Sequence, residues 1–304
     1  MRKDNALVIQ EYLALFSHLI SFHDPVLRTH LDEIGFHPEL YAIPWFLTMY
    51  THVFPLQKIF HLWDTLLLGT SSYPLLIGVA ILQQLRDALL NFGFNDCILL
   101  FSDLPDIDIQ RCLQDSIRLF CATPKSVVHR TYGNPSEEKV STGSEDHILI
   151  PPSQRKIPEG RRSVSDIDLD IGPRTLAELK RDISPKISAR EFLELQRTGN
   201  FQVLDVRQVE EFQRGSVSEA LNFPYPSCLD SSGHLSPSAQ RDKLLDTVRS
   251  KNRIYVVLGP RGNEYASMFA ETLVHSGIPR VCILHGGVEV LRTSGVLVIP
   301  SPTS

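Results

Sequence analysis

The sequence of 304 residues holds little cysteine, tryptophan or methionine, and no long uninterrupted apolar run. Its five cysteines, Cys97, Cys112, Cys121, Cys228 and Cys282, are odd in number and include no C-x-x-C pair. That pattern argues against a disulfide framework and against a structural zinc site, so neither a metal nor a cofactor is expected. Cys282 lies in the run Arg280-Val281-Cys282-Ile283-Leu284, which reads as a core strand carrying an inert thiol. The greasiest stretch, Leu66 to Leu82, is interrupted by Gly69, Ser71, Ser72 and Pro74, short of the roughly 20 apolar residues a membrane span needs. The opening Met1-Arg2-Lys3-Asp4-Asn5 leads into an amphipathic stretch with Gln10 and Glu11, which is not the pattern of a signal peptide. Clustered cations are missing too: net charge is −5, and residues 1–123 hold 7 Lys+Arg against 13 Asp+Glu. Nucleic acid is therefore not an expected partner, whereas a basic patch on another protein is compatible. These absences point to a reducing, cytoplasmic setting.

What is present divides into three zones. Residues 1–123 are helical almost throughout, with Val8, Ile9, Tyr12, Leu13, Leu15, Phe16, Leu19 and Ile20 at helical spacing, and again Leu75, Leu76, Val79, Leu82, Leu85 and Leu89. Asp24-Pro25, Gly35, Phe54-Pro55, Gly69 and Gly93 punctuate the zone, and Asp24 and Asn95 suit helix N-caps. About seven helices are expected, in an irregular bundle, because heptad regularity is absent. Residues 124–185 carry many turn formers and few aromatics, and read as a flexible linker in which Leu176 and Leu179 begin a short docking turn. Within it, Arg161-Arg162-Ser163-Val164-Ser165 sets two arginines ahead of two candidate phosphosites, Ser163 and Ser165. Residues 186–304 alternate helix and strand, which predicts an α/β domain with a mostly parallel sheet.

The most informative feature lies in the third zone. The strand Ile254–Leu258 runs through the loop Gly259, Pro260, Arg261, Gly262, Asn263 and Glu264 into a helix beginning near Tyr265. Such a helix N-terminus favours an anion or a thiolate. With the entry signature Val203-Leu204-Asp205-Val206-Arg207, Glu211-Phe212, Gly215 and Ala220-Leu221-Asn222-Phe223-Pro224, and the exit signature Leu284-His285-Gly286-Gly287, the zone resembles a rhodanese domain. The resemblance implies a nucleophilic cysteine at the loop's first position and often an arginine at its last. Here Gly259 and Glu264 hold those places, Ser216 stands where the family often has histidine, and Leu291 where it often has tryptophan. Asp205 and Arg207 match residues that brace the loop in that family, and also suit a strand-end network.

The helical zone resembles the later part of a TBC domain, the fold of Rab GTPase activators. The resemblance rests on Tyr41-Ala42-Ile43-Pro44-Trp45-Phe46-Leu47-Thr48, then Phe54-Pro55-Leu56, then Ile59-Phe60-His61-Leu62-Trp63-Asp64, closing with Leu67-Leu68-Gly69. Trp45 and Trp63 are expected as core anchors. Catalysis in the TBC family uses an arginine of I-x-x-D-x-x-R and a glutamine of Y-x-Q, and neither motif occurs among these residues. Arg28 is the nearest isolated candidate, and is expected to be a solvated helix arginine. The order of zones resembles a family that joins kinase-like, TBC and rhodanese-like domains. The kinase signatures are missing, so the chain resembles a truncated or alternatively spliced product, or an incomplete gene. It is expected to be a non-catalytic regulatory or scaffold piece in Rab-linked vesicle traffic, recruited to endomembranes through a Rab-family small GTPase or another protein partner. GTPase activation and sulfur transfer are the alternatives.

Overall fold

A computed structural model describes residues 5–68, 70–128, 174–250, 253–262 and 264–300. Seven α-helices make up the first zone as described: α1 (Asn5–His23), α2 (Pro25–Glu33), α3 (Ala42–Leu47), α4 (Leu56–Leu68), α5 (Tyr73–Asn91), α6 (Phe94–Ser102) and α7 (Ile109–Ala122). Asp24 caps α2 as expected: its carboxylate accepts from the Leu27 N–H at 3.0 Å, with Pro25 in the first turn, where no N–H is missed. The Asn95 expectation fails. Helix α6 is capped two residues earlier, at Gly93, and the Asp96 carboxylate reaches back to the Gly93 N–H at 3.2 Å. Asn95 therefore sits inside the first turn.

The third zone continues with α8 (Leu176–Arg181), β1 (Lys186–Ile187), α9 (Ala189–Thr198), β2 (Phe201–Asp205), α10 (Val209–Arg214), β3 (Ser216–Val217), β4 (Leu221–Asn222), α11 (Ala239–Ser250), β5 (Ile254–Leu258), α12 (Tyr265–His275), β6 (Val281–Leu284) and β7 (Leu297–Val298). Five strands form one sheet in the order β1-β6-β5-β2-β4, parallel at every pairing, while β3 and β7 pair antiparallel. All five residues of β5 are buried, as a central parallel strand covered on both faces requires. Its side chains alternate: Ile254, Val256 and Leu258 join one apolar cluster, Tyr255 and Val257 the other.

The first cluster does not stop at the zone boundary. It runs from Tyr12, Phe16 and Phe22 on α1, through Trp45 and the α5 leucines, to Ile187, Phe192, Leu258 and Leu284 around the sheet. Helix α1 packs on β6, α2 packs on α12, and the turn Lys125–Val127 lies beside edge strand β1. Polar contacts finish the join. The Arg280 N–H donates to Phe22 O at 2.7 Å, and the Ser188 N–H to Ser126 Oγ at 3.1 Å. The Glu191 carboxylate accepts from the Ser126 N–H at 2.8 Å, and from the Lys125 N–H and the Ser126 hydroxyl. Thus a carboxylate on α9 gathers the chain leaving α7 and covers the sheet edge.

The linker expectation for 124–185 needs correction at both ends. Residues 125–127 form that turn, and α8 packs on α1 with Lys180 Nζ donating to Gln10 Oε1 at 2.5 Å. The docking role expected for Leu176 and Leu179 is thereby met, with Leu179 buried. The part between lies outside the described residues. So do Ser163 and Ser165. A second correction concerns Trp63. Trp45 is 2 % exposed, packed among Tyr41, Tyr50 and Phe101, whereas Trp63 is 41 % exposed. Helix α4 buries Ile59 and Leu62, and the next residue, about 100° further round, faces outward.

Two predictions follow from the shared core and from the histidines within it. The complete chain is expected to melt in one calorimetric transition, and residues 184–304 expressed alone to melt well below it. Each large apolar side chain uncovered along α12 and β6 forfeits roughly 1.5–3 kcal/mol. Two separate transitions in the complete chain would contradict this. His18 and His23 are buried beside the join, and burial, with Arg174 near His18 and Arg280 near His23, lowers their pKa values from 6.5 to about 4 and about 3. Their Nε2 atoms sit 2.7 Å from Asp182 O and 2.8 Å from Thr123 Oγ1. The unfolded chain binds these protons first, so stability is full above pH 6.5 and falls as pH drops from 6.5 towards about 4. The slope approaches about 1.4 kcal/mol per pH unit for each histidine. Denaturant melts at pH 7.5 and pH 5, with His18→Gln flattening the difference, are the check.

Candidate functional site

Strand β5 delivers Gly259 at the end of the sheet, and α12 leaves on the far side of the turn. Two constraints hold the loop shut. The first is backbone contact with the exit signature. Gly287 lies at φ +67°, and a Cβ there would fall 2.6 Å from Gly259 O and 2.8 Å from Arg261 N, so only glycine fits. The next residue, Val288, donates its N–H to Gly259 O at 2.9 Å. The second constraint is electrostatic: the Arg261 N–H donates to Glu289 Oε2 at 2.8 Å. A loop amide that faces an anion in a reactive site here faces the protein's own carboxylate.

A cavity of about 340 Å³ adjoins the loop, lined by Arg181, Lys186, Arg261, Glu264, Ser267 and His285 among others. Its charges are largely answered from within. Lys186 Nζ lies 2.6 Å from Asp182 Oδ2, both nearly buried, and Arg181 stands 3.5 Å from Asp182 and 3.6 Å from Glu264. Burial pushes the Asp182 carboxyl up, but the hydrogen bond and charge of Lys186 outweigh it and hold the group below the usual carboxylate range. Burial also lowers the pKa of His285. Glu264 is exposed at the rim, and Asn263 lies outside the described residues.

No thiolate is available to this loop. Gly259 has no side chain, and a Cβ there would already touch Ala266 Cβ at 3.1 Å and Val206 Cγ2 at 3.2 Å. Cys282 is fully buried on β6 with its thiol pKa pushed well up, and burial moves Cys228 up to about 11.

Asp205 and Arg207 form a closed network. Arg207 grips Asp205 with two hydrogen bonds, Nε to Oδ1 at 3.0 Å and Nη2 to Oδ2 at 2.7 Å, and Nη2 also donates to Gly215 O. Ser216, in the place of a histidine, donates its hydroxyl to Asp205 Oδ2 at 2.6 Å. The Val206 N–H, between the two, donates to Leu258 O at 2.9 Å, one residue before the loop.

In the helical zone the tryptophans are separated by burial, and Asp64 is exposed on α4. Arg28 is not solvated as expected: only 16 % of its side chain is exposed, with Nε 2.8 Å from Asp32 on the same helix. It cannot reach outward as a finger without breaking that pair. Among the described residues there is no cluster of His, Cys, Asp or Glu fit for a metal, and no helix long and apolar enough to cross a membrane. Sequence reasoning missed Glu289 and Glu191. The signal for Glu289 was its place two residues after Gly287; Glu191 offered none, because its partners are 65 and 66 residues away.

Comparison with known proteins fits this geometry. The Rab-GTPase-TBC domain family matches residues 1–90, and the rhodanese-like domain family matches residues 188–293. The TBC domain-containing protein kinase-like proteins of Mus musculus and Homo sapiens are each 47 % identical over 99 % of this chain. The chain is a homologue of these proteins. A TBC domain-containing protein kinase-like protein of Dictyostelium discoideum is 26 % identical over 95 % of the chain. The chain spans about a third (34 %) of the length of the mouse and human relatives. Both of its folded zones are thus homologous to one kind of protein, in the same order.

Reinstating a thiol is expected to fail for a packing reason. Gly259→Cys should give no thiosulfate:cyanide sulfurtransferase activity and should cost about 1–3 kcal/mol through overpacking. Gly287→Ala should cost more, since backbone atoms block its Cβ. Thermal melts of both variants beside a thiocyanate assay decide this, and turnover by the Gly259→Cys variant would show that the loop can open.

Proposed function

We propose that this chain is a non-catalytic regulatory or scaffold module acting in Rab GTPase regulation and vesicle traffic, in the cytoplasm and on endomembranes reached through partners. The observation that carries the reading is the closed loop: no nucleophile at Gly259, and a loop N–H already held by Glu289. Sulfur transfer at this place needs a thiolate at the first position and a loop N–H free for the anion. The division into a helical unit (1–123) and a rhodanese-like unit (186–304), with Asp205 and Arg207 bracing the loop, belongs to the same reading.

The Rab link is supported by the Rab-GTPase-TBC family match over residues 1–90, and by TBC1 domain family member 5 of Homo sapiens, 32 % identical over 36 % of this chain and covered over 14 % of its own length. A Rab GTPase-activating protein of Caenorhabditis elegans is 34 % identical over 27 % of the chain, which covers 9 % of that protein. Binding without turnover is favoured over activation because neither the I-x-x-D-x-x-R nor the Y-x-Q motif occurs in the sequence and Arg28 is engaged. A transition-state arginine contributes on the order of 10³-fold or more in rate.

Single-turnover GTP hydrolysis by a panel of Rab proteins, with and without an excess of the chain, is expected to show no acceleration over the intrinsic rate. Binding should be detected by titration against at least one nucleotide state. Acceleration abolished by Arg28→Ala would instead establish the activator reading, and absence of binding to every Rab would remove the Rab link for this chain.

A further inference from the structure

A cleft of about 840 Å³ lies on the join between the two zones, with α1, α2, α8 and α12 around it. His18 stands in its wall and is buried. Its Nε2–H donates to Asp182 O at 2.7 Å; a carbonyl can only accept, so the ring proton sits on Nε2 and Nδ1 is a bare lone pair. That Nδ1 is buried with no hydrogen-bond partner among the described residues. A second proton on the ring would therefore enter a place with neither water nor an acceptor. Arg174, at the head of the α8 segment, and Arg28 on α2 both oppose a positive imidazole, while the Asp182 carboxylate favours one. The other charged groups of the cleft are engaged or lie at its mouth. Asp32 faces Arg28 and His37, Glu39 faces Lys180, Arg181 faces Glu264, and Glu271 and His275 are exposed on α12.

The repelling Arg174 and the attracting Asp182 stand on opposite ends of a short segment that is loosely held. Residues 174–181 pack mainly on α1, and Leu179 is the one fully buried side chain among them. Thr175 and Glu178 cap each other, the Thr175 N–H donating to Glu178 Oε2 at 2.8 Å and the Glu178 N–H to Thr175 Oγ1 at 3.2 Å. The helix start is thus satisfied from within the segment. Its outward ties are polar and well exposed: Lys180 to Gln10 and Glu39, and Arg181 to Glu264. The helix ends at Asp182, which is extended and is anchored to β1 by Lys186 at 2.6 Å. We propose that residues 174–181 form a strap that opens as a unit about Asp182, and that protonation of His18 opens it. Opening carries Arg174 away, lets water reach Nδ1, and leaves the Asp182 carboxylate beside the new charge. Arg181 lines both the cleft and the loop cavity, so the same motion uncovers both. The coupling is reciprocal: whatever holds the strap closed also keeps His18 neutral.

Hydrogen exchange of the complete chain, corrected for the intrinsic rate at each pH, separates strap opening from unfolding. The Leu179 amide, which donates to Thr175 O at 3.0 Å, reports the strap, and the amides of β5 report the global reaction. At pH 7.5 the Leu179 amide is expected to be at least about a hundredfold less protected than those of β5. Between pH 7.5 and pH 5 its protection should fall roughly 30-fold, since the ring titrates near 6.5 with the strap open and at about 4 with it closed. His18→Gln, whose side-chain amide can still donate to Asp182 O, should abolish that fall, and Arg174→Met should reduce it about threefold. Equal protection of Leu179 and β5 at pH 7.5 overturns the proposal, because the segment then opens only with the whole fold. A fall that is absent from the unaltered chain, or that persists in His18→Gln, overturns it too. If His18→Gln does not fold, Arg174→Met decides, and a fall left unchanged by that variant overturns the proposal.

Discussion

Burial of α1 from several sides is the contact on which the rest of the structure depends. Tyr12, Leu13, Ala14, Leu15 and Phe16 are five consecutive buried residues, followed by Leu19, Ile20 and Phe22. A helix that is apolar most of the way round cannot be satisfied by one neighbour. It takes α2, α3 and α5 on the bundle side, and α8 and β6 on the other. The sheet therefore gains a cover for its β1–β6 edge, and the bundle gains an end wall. Neither half has a closed core without the other, so the boundary seen in composition is not a boundary in energy.

The same junction collects ionisable groups whose state is set by burial. His18 and His23 stay neutral because a charged imidazole would lose its water and, near Arg174 and Arg280, find repulsion. Asp182 stays charged because Lys186 answers it at 2.6 Å. Asp182 also accepts the His18 hydrogen bond through its carbonyl, so one residue ties α1, the end of α8 and the sheet edge together. That places the rim of the loop cavity, through Arg181, directly against the helical zone.

At the loop, geometry and charge act in one direction. Rhodanese-like topology brings a strand, a tight turn and a helix N-terminus together, an arrangement that favours an anion. Glu289 supplies the anion from inside the molecule, and Gly287 permits the close backbone approach that puts it there. The space at Gly259 and the Arg261 amide are both already taken up within the chain.

Much of this was legible in the residues. Helical spacing, the Asp24-Pro25 cap, the buried run Ile254–Leu258 and the Gly-rich loop each express a local rule, and local rules survive folding. The missing nucleophile at Gly259 was equally plain. Other features were not local. β1, β3 and β7 are two residues long, too short for periodicity to reveal, and exist because a neighbour supplies the partner. Trp45 and Trp63 share a motif and a residue type, yet only the packing of α4 decided that one is core and the other surface. The closure of the loop by Glu289 and the gathering of residues 125 and 126 by Glu191 join positions 28 to 66 residues apart. The sequence by itself determined the longer helices and strands and that the loop lacks a thiol. Only the tertiary structure decided that two differently composed zones share one core, because apolar burial depends on which surfaces meet and not on their order along the chain.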